Sequence, residues 1–416
     1  MSPATTIWTL TRIIALLGAS APASAWQLPR NDLPAEALGY PHRGVGQQQQ
    51  QHPLAWAPVH DDDVDIVTGS QFHGLKTFGN LPYVNAFSDE EAQRQDAKYD
   101  IAILGAPFDT GTTGRPGARF GPQGIRTGSQ RIFPGGTSIY TGQAPLQSWA
   151  RIVDTGDVQA TWLDNTVALR QLDKAHRVIS GRPAANASFA SSTPRILTLG
   201  GDHTTTLSAL RSAHGRWGDV SVVHFDSHID TWDPAVLGGG LSEYAGVNHG
   251  TFLHIAHEEG LIRNTSVHAG IRAPVIRPKG DLRNDARCGF DIITARAIDK
   301  VGADGVVAQI KDRVGGSNVY ISVDIDVLDP AYAPATGTAE PGGWTTRELL
   351  TILDGLTGLN VIGADVVEVA PVYDNAGETT VLAAAEVSLS LLTLMVDQPV
   401  QSIADKEAAK KVGNVS

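Results

Sequence analysis

Short apolar runs recur along the chain from about residue 96, each followed by glycine, aspartate or another polar residue. They occupy residues 101–104, 195–199, 220–225, 266–269, 319–323 and 361–367 and are rich in valine and isoleucine. Near-continuous apolar runs of this length read as strands buried on both faces of a parallel sheet. Helical patterns lie between them, at 161–179, 204–214 and 345–356. In the last, Thr345 and Glu348 have capping-box spacing ahead of Leu349, Leu350 and Leu353. Alternating strands and helices predict an α/β fold: one doubly wound domain with a parallel sheet flanked by helices. Ligand sites in such sheets gather outside the carboxyl ends of the strands. No internal repeat or second domain is visible. The expected divisions are a signal segment at 1–25, an extension at 26–95, a catalytic domain at 96–398 and a tail at 399–416.

The amino-terminal segment carries a different pattern. Arg12 precedes an apolar stretch at 13–19, and Ala23-Ser24-Ala25 forms a small-x-small cleavage pattern. That arrangement predicts a signal peptide and the secretory pathway, with an extracellular, vacuolar or cell-wall destination. The stretch is too short to span a bilayer, and no later segment reads as a membrane span. Residues 26–65 hold scattered prolines, glutamines at 47–51 and the acidic cluster Asp61, Asp62, Asp63 and Asp65. Such composition reads as a solvated lead-in. Cys288 is the only cysteine, which excludes an intrachain disulfide. With 42% hydrophobic and 18% charged residues, the 416-residue chain has ample material for a core. A formal net charge of −12 with no basic stripe argues against nucleic acid. It is compatible with a small cationic substrate.

Three of the apolar runs end in metal-ligating side chains. Gly200-Gly201-Asp202-His203 follows one, Asp226-Ser227-His228-Ile229-Asp230 another, and Asp324-Ile325-Asp326 a third. If these segments are extended, alternate residues share a face, so Asp226, His228 and Asp230 would point to one side. Carboxylates and imidazoles left unpaired at a sheet edge would be costly, and metal coordination removes that cost. A donor set rich in oxygen with a minority of imidazole suits Mn2+ better than Zn2+. Its negative charge suits two divalent ions, which generate a hydroxide nucleophile at neutral pH.

Those three motifs, the last extended as Ser322 to Pro330, resemble the signatures of the ureohydrolase (arginase/agmatinase) family in order and separation. Further likeness lies in Gly105-Ala-Pro-Phe-Asp109, in the segment from Arg115 to Pro122, and in Glu368-Val-Ala-Pro371. The resemblance covers residues 70–398 and implies an arginase/deacetylase-like fold with two Mn2+. It assigns His203, Asp226, His228, Asp230, Asp324 and Asp326 as metal ligands, with Asp226 and Asp324 bridging. It also implies that His249, in Asn248-His-Gly-Thr-Phe252, shuttles protons, with His254 as the rival. Asp230 would accept the nucleophile's proton and Glu368 would hold the substrate guanidinium. Arginases have an asparagine just after the central motif; here Thr231 and Trp232 stand there, as in agmatinases. Both are expected beside the substrate. Agmatine, cleaved to putrescine and urea, is therefore the expected substrate. Guanidinobutyrate is the rival and would need a cation such as Arg115, Arg119 or Arg126. A related amidine hydrolase and a secreted, non-catalytic metal-binding relative are further alternatives. Family likeness also implies a homo-oligomer, trimeric or hexameric.

Overall fold

The computed structural model describes residues 75–242 and 244–413. The signal segment, the lead-in and the acidic cluster lie outside those residues. Eight strands form one parallel sheet in the order β2-β1-β3-β8-β7-β4-β5-β6. They are β1 (Ile101–Gly105), β2 (Ile152–Asp157), β3 (Arg195–Leu199), β4 (Ser221–Phe225), β5 (Ser266–Ile271), β6 (Phe290–Thr294), β7 (Asn318–Asp324) and β8 (Asn360–Val367). Ten helices accompany them among the described residues: α1 (Asp89–Ala92), α2 (Gly121–Gly128), α3 (Asn165–Ser180), α4 (Thr205–Trp217) and α5 (Phe252–Glu258), then α6 (Pro278–Arg287), α7 (Ile298–Val314), α8 (Thr346–Gly355), α9 (Thr379–Asp397) and α10 (Ile403–Gly413).

The six apolar runs became six of the strands, and β1, β3 and β4 are buried along their whole length. The two strands absent from the sequence reading, β2 and β6, are the sheet's edges. β2 reads Ile-Val-Asp-Thr-Gly-Asp and ends exposed, while β6 is exposed at Asp291 and Thr294. An edge strand needs apolar side chains on one face only, so its run is broken.

α9 corrects one expectation. With 19 residues and a mean hydropathy of 1.8, it is long and apolar enough to cross a membrane. It is nonetheless 72% buried and packs against β8, α2 and α8. A helix covered by protein nearly all round must be apolar nearly all round. α8 starts as its sequence predicts: Thr345 Oγ1 accepts from the Glu348 N–H (3.2 Å), and Glu348 Oε2 accepts from the Thr345 N–H (2.8 Å).

Candidate active site

The four adjacent middle strands β3, β8, β7 and β4 deliver the site at their carboxyl ends. His203 follows β3, Glu368 follows β8, Asp324 ends β7 with Asp326 in the next turn, and Asp226 follows β4. The Gly200-Gly201 pair lets the β3 turn pass close to the chain after β1. A Cβ on Gly201 would stand 1.8 Å from the Phe108 carbonyl oxygen, so only glycine fits.

Two groups of ligating atoms converge. One comprises His203, His224, Asp226 and Asp230; the other comprises Asp226, His228 and Asp326. Asp226 belongs to both. His203 Nδ1 lies 3.1 Å from Asp226 Oδ2, 3.1 Å from Asp230 Oδ2 and 3.4 Å from Asp324 Oδ2. His228 Nδ1 lies 3.3 Å from Asp226 Oδ1 and 3.2 Å from Asp326 Oδ2. All six sequence-assigned ligands therefore meet, but the expected single extended face does not form. The strand ends at Phe225, and Asp230 adopts φ +51°, so its carboxylate turns back toward His203 while His228 faces Asp326. That left-handed backbone is uncommon for aspartate and marks a residue held by its surroundings.

The tautomer of His203 follows from its neighbours. Ser322 donates its hydroxyl to Asp365 Oδ1 (2.6 Å), so the serine oxygen accepts from His203 Nε2 at 2.8 Å. Nδ1 is thereby left as a lone pair facing three carboxylates. Nδ1 of His203 and Oδ2 of Asp226 are both buried without hydrogen-bond partners. Buried lone pairs that converge on one point with no donor between them fit a cation, and the oxygen-dominated donor set fits a hard or borderline divalent metal.

Proton affinities carry the same message. Burial opposes a charge on His203, yet Asp226, Asp230 and Asp324 raise it well above 6.5. Burial and then the charge of Asp226 push Asp230 up to about 6. Burial, with Asp326 and Asp226, drives Asp324 well above 3.8. Asp226 is pulled well below 3.8 because His224, His203 and His228 outweigh its burial. Without metal, protons gather where cations would sit.

Beside these groups lies a cavity of about 190 Å³ lined by Thr113, His228, Asp230, Trp232, His249 and Thr338, among others. His249 Nδ1 donates to Glu368 Oε1 (2.9 Å), and its Nε2 faces both the N–H (3.1 Å) and the hydroxyl (2.8 Å) of Thr113. Burial opposes protonation of His249, but Glu368 raises it to about 9. Oε1 of Glu368 also accepts the His203 N–H (2.9 Å), while Oε2 is buried with no partner. Like Asp230, Glu368 has positive φ (+61°). His254 stands elsewhere, on α5, beside Asn284.

Trp232 forms part of the cavity wall, and its Nε1 reaches Asp281 (3.3 Å). Thr231 does not reach the cavity: it is fully buried and donates to Asp285. Arg119 and Arg126 are paired with Asp109 and with Asp154 and Asp157, and Arg115 lies over the Tyr373 ring. The sequence reading missed His224, which shares the Asp226 face at strand spacing, and Asp202, hidden within the Gly-Gly-Asp-His motif. Asp202 Oδ2 accepts the Gly111 N–H (2.7 Å) and so fixes the loop that leads to Thr113.

Comparison with known proteins agrees with this geometry. A family model described as "Arginase family" matches residues 99–393. A Schizosaccharomyces pombe protein provisionally named agmatinase 1 is 47% identical over 88% of this chain and 96% of its own length. Guanidinobutyrase of Pseudomonas aeruginosa is 36% identical over 76% of this chain and 90% of its own. The solved structure of proclavaminate amidino hydrolase from Streptomyces clavuligerus superposes with a TM-score of 0.67 at 34% identity, covering 79% of this chain and 99% of that one. The chain belongs to the arginase family, hydrolases acting on guanidino carbon–nitrogen bonds.

Proposed function

We propose that the protein is an agmatinase, cleaving agmatine to putrescine and urea at a centre of two manganese ions. The observation that carries the choice is the cavity wall, which among the described residues holds carboxylates, imidazoles and uncharged groups and no arginine or lysine. A guanidino acid would bring a carboxylate that these walls do not neutralise, and its desolvation would go uncompensated. Agmatine carries only cationic ends. Each arginine considered as the cation for guanidinobutyrate has another partner: Arg119 and Arg126 are paired with aspartates, and Arg115 lies over the Tyr373 ring.

His203, Asp226, Asp230 and Asp324 would hold one ion, and His228, Asp326 and the shared Asp226 and Asp324 the other. When bound, such ions supply Lewis acidity and a hydroxide nucleophile at neutral pH. Glu368 binds the guanidinium through the unpartnered Oε2, while its Oε1 stays anchored to His203 and His249. A planar guanidinium offers a fork of donors to such a carboxylate and is fixed in orientation by it. Asp230 lines the cavity with a carboxylate placed to take up a proton and pass it to the departing amine. His249 exchanges a proton at Nε2; on protonation the Thr113 hydroxyl turns from donor to acceptor and the bond from the Thr113 N–H is given up. Trp232 gives the aliphatic tether an apolar wall.

The test is urea release from agmatine, guanidinobutyrate, arginine and guanidinopropionate by manganese-reconstituted protein. Agmatine should have the highest kcat/KM, with close to two manganese per chain. Preference for guanidinobutyrate would replace this reading, and turnover of none with metal loaded would favour a binding role.

A further inference from the structure

A buried chain of hydrogen bonds runs from the metal cluster to α6 and is used by none of the roles above. His224 on β4 and His268 on β5 are paired in register across the sheet. Their Nδ1 atoms are 2.8 Å apart. His268 Nε2 lies 2.9 Å from Asp285 Oδ1, which also accepts the Thr231 hydroxyl. At the other end, His224 Nε2 stands 3.1 Å from Asp226 Oδ2. His224 and His268 are fully buried and Asp285 nearly so. The His268 ring stacks on Phe290 with centroids 4.0 Å apart.

The proton arrangement is constrained from the far end. A carboxylate only accepts, so Asp285 selects the Nε2–H form of His268. With both rings neutral, the two facing Nδ1 atoms share one proton, which His224 must then supply. That leaves His224 Nε2 as a lone pair on the cluster side, buried and without a hydrogen-bond partner, as His203 Nδ1 is. A ring so placed is stable only beside a cation, and a fixed ring orients the carboxylate it abuts.

We propose that Asp285 and His268 are positioning residues that act through His224 to shape the His203–Asp226 side of the metal centre. This rests on the metal-centre reading above. Asp285 sets the His268 tautomer and His268 sets that of His224. The chain thus presets one ion's surroundings and reaches the His228–Asp326 side only through the shared Asp226.

Manganese titration of the metal-stripped full chain, followed by electron paramagnetic resonance, tests this. His268→Leu should weaken one of the two ions by about 10- to 100-fold and the other far less. At saturating manganese, KM should stay at the wild-type value. Asp285→Asn, placing its amide oxygen toward His268, should keep both affinities near wild type, whereas Asp285→Leu should repeat the His268→Leu loss. Should His268→Leu fail to fold, the contrast between the two Asp285 variants decides. The proposal is overturned by wild-type affinity for both ions in His268→Leu and Asp285→Leu, by equal weakening of both ions, or by Asp285→Asn matching Asp285→Leu. A wild-type chain that binds no manganese would instead sink the metal-centre reading itself.

Discussion

Glu368 illustrates what a single residue discloses and what it conceals. Its motif points to a guanidinium-binding carboxylate, but its positive φ and its split duty become visible only in the fold. One oxygen ties it to His203 and His249, and the other is left free. Glu368→Gln removes the charge facing the substrate while keeping the shape. A hydrogen bond to a charged group contributes about 1.5–3 kcal/mol, so kcat/KM should fall by roughly 100-fold. Manganese content should hold, because Glu368 is outside the ligand groups. Unchanged kcat/KM would remove it from the guanidinium site. Thr231 teaches the opposite lesson. Adjacency to Asp230 in sequence suggested the substrate pocket, yet the turn at Asp230 sends its neighbour's hydroxyl to Asp285.

At the scale of elements, legibility followed burial. Central strands advertise themselves because both faces are covered, and three of them, β3, β4 and β7, lead into the ligands. The edges β2 and β6 were silent because their apolar runs are short and broken by polar residues. The metal side chains were legible as a set, and the family resemblance also divided them about a bridging Asp226 and Asp324, but the backbone turn behind that division was not legible. That division depends on where β4 stops, and no alternation pattern marks that point. The α8 start was legible because its cap is local chemistry, and it stands apart from the ligand groups. Thr345→Ala removes one side of that capping box and should cost about 1 kcal/mol. For a domain of this size that is a fall in Tm of about 2 °C, read by scanning calorimetry. Manganese content and KM should not change; a change in either would tie α8 to the site.

For the whole molecule, the metal centre is a concentration of buried charge that the fold tolerates by binding protons or cations. In the metal-free state several groups hold protons more tightly than in an unfolded chain. Burial, with neighbouring carboxylates, raises Asp230 to about 6, Asp202 to about 7 and Asp324 well above 3.8. Burial opposes the charged form of His203, His228 and His249, but adjacent carboxylates prevail, lifting the first two well above 6.5 and His249 to about 9. Each of these groups binds more protons folded than unfolded, so its stabilisation is present at low pH and lost as pH rises through its folded value. Asp226 is shifted the other way, and its contribution is lost only as pH falls below about 4. The metal-free protein should therefore lose stability as pH rises from about 6 to about 9. Bound cations replace those protons, so the manganese-loaded protein should be much less sensitive over that range, and loading should release protons. Thermal unfolding of stripped and reconstituted protein at about pH 6 and about pH 8.5 tests this directly, the gap in Tm being larger at the higher pH. A gap that stays constant or narrows would mean that the protons held by these carboxylates and histidines are not what the metal displaces.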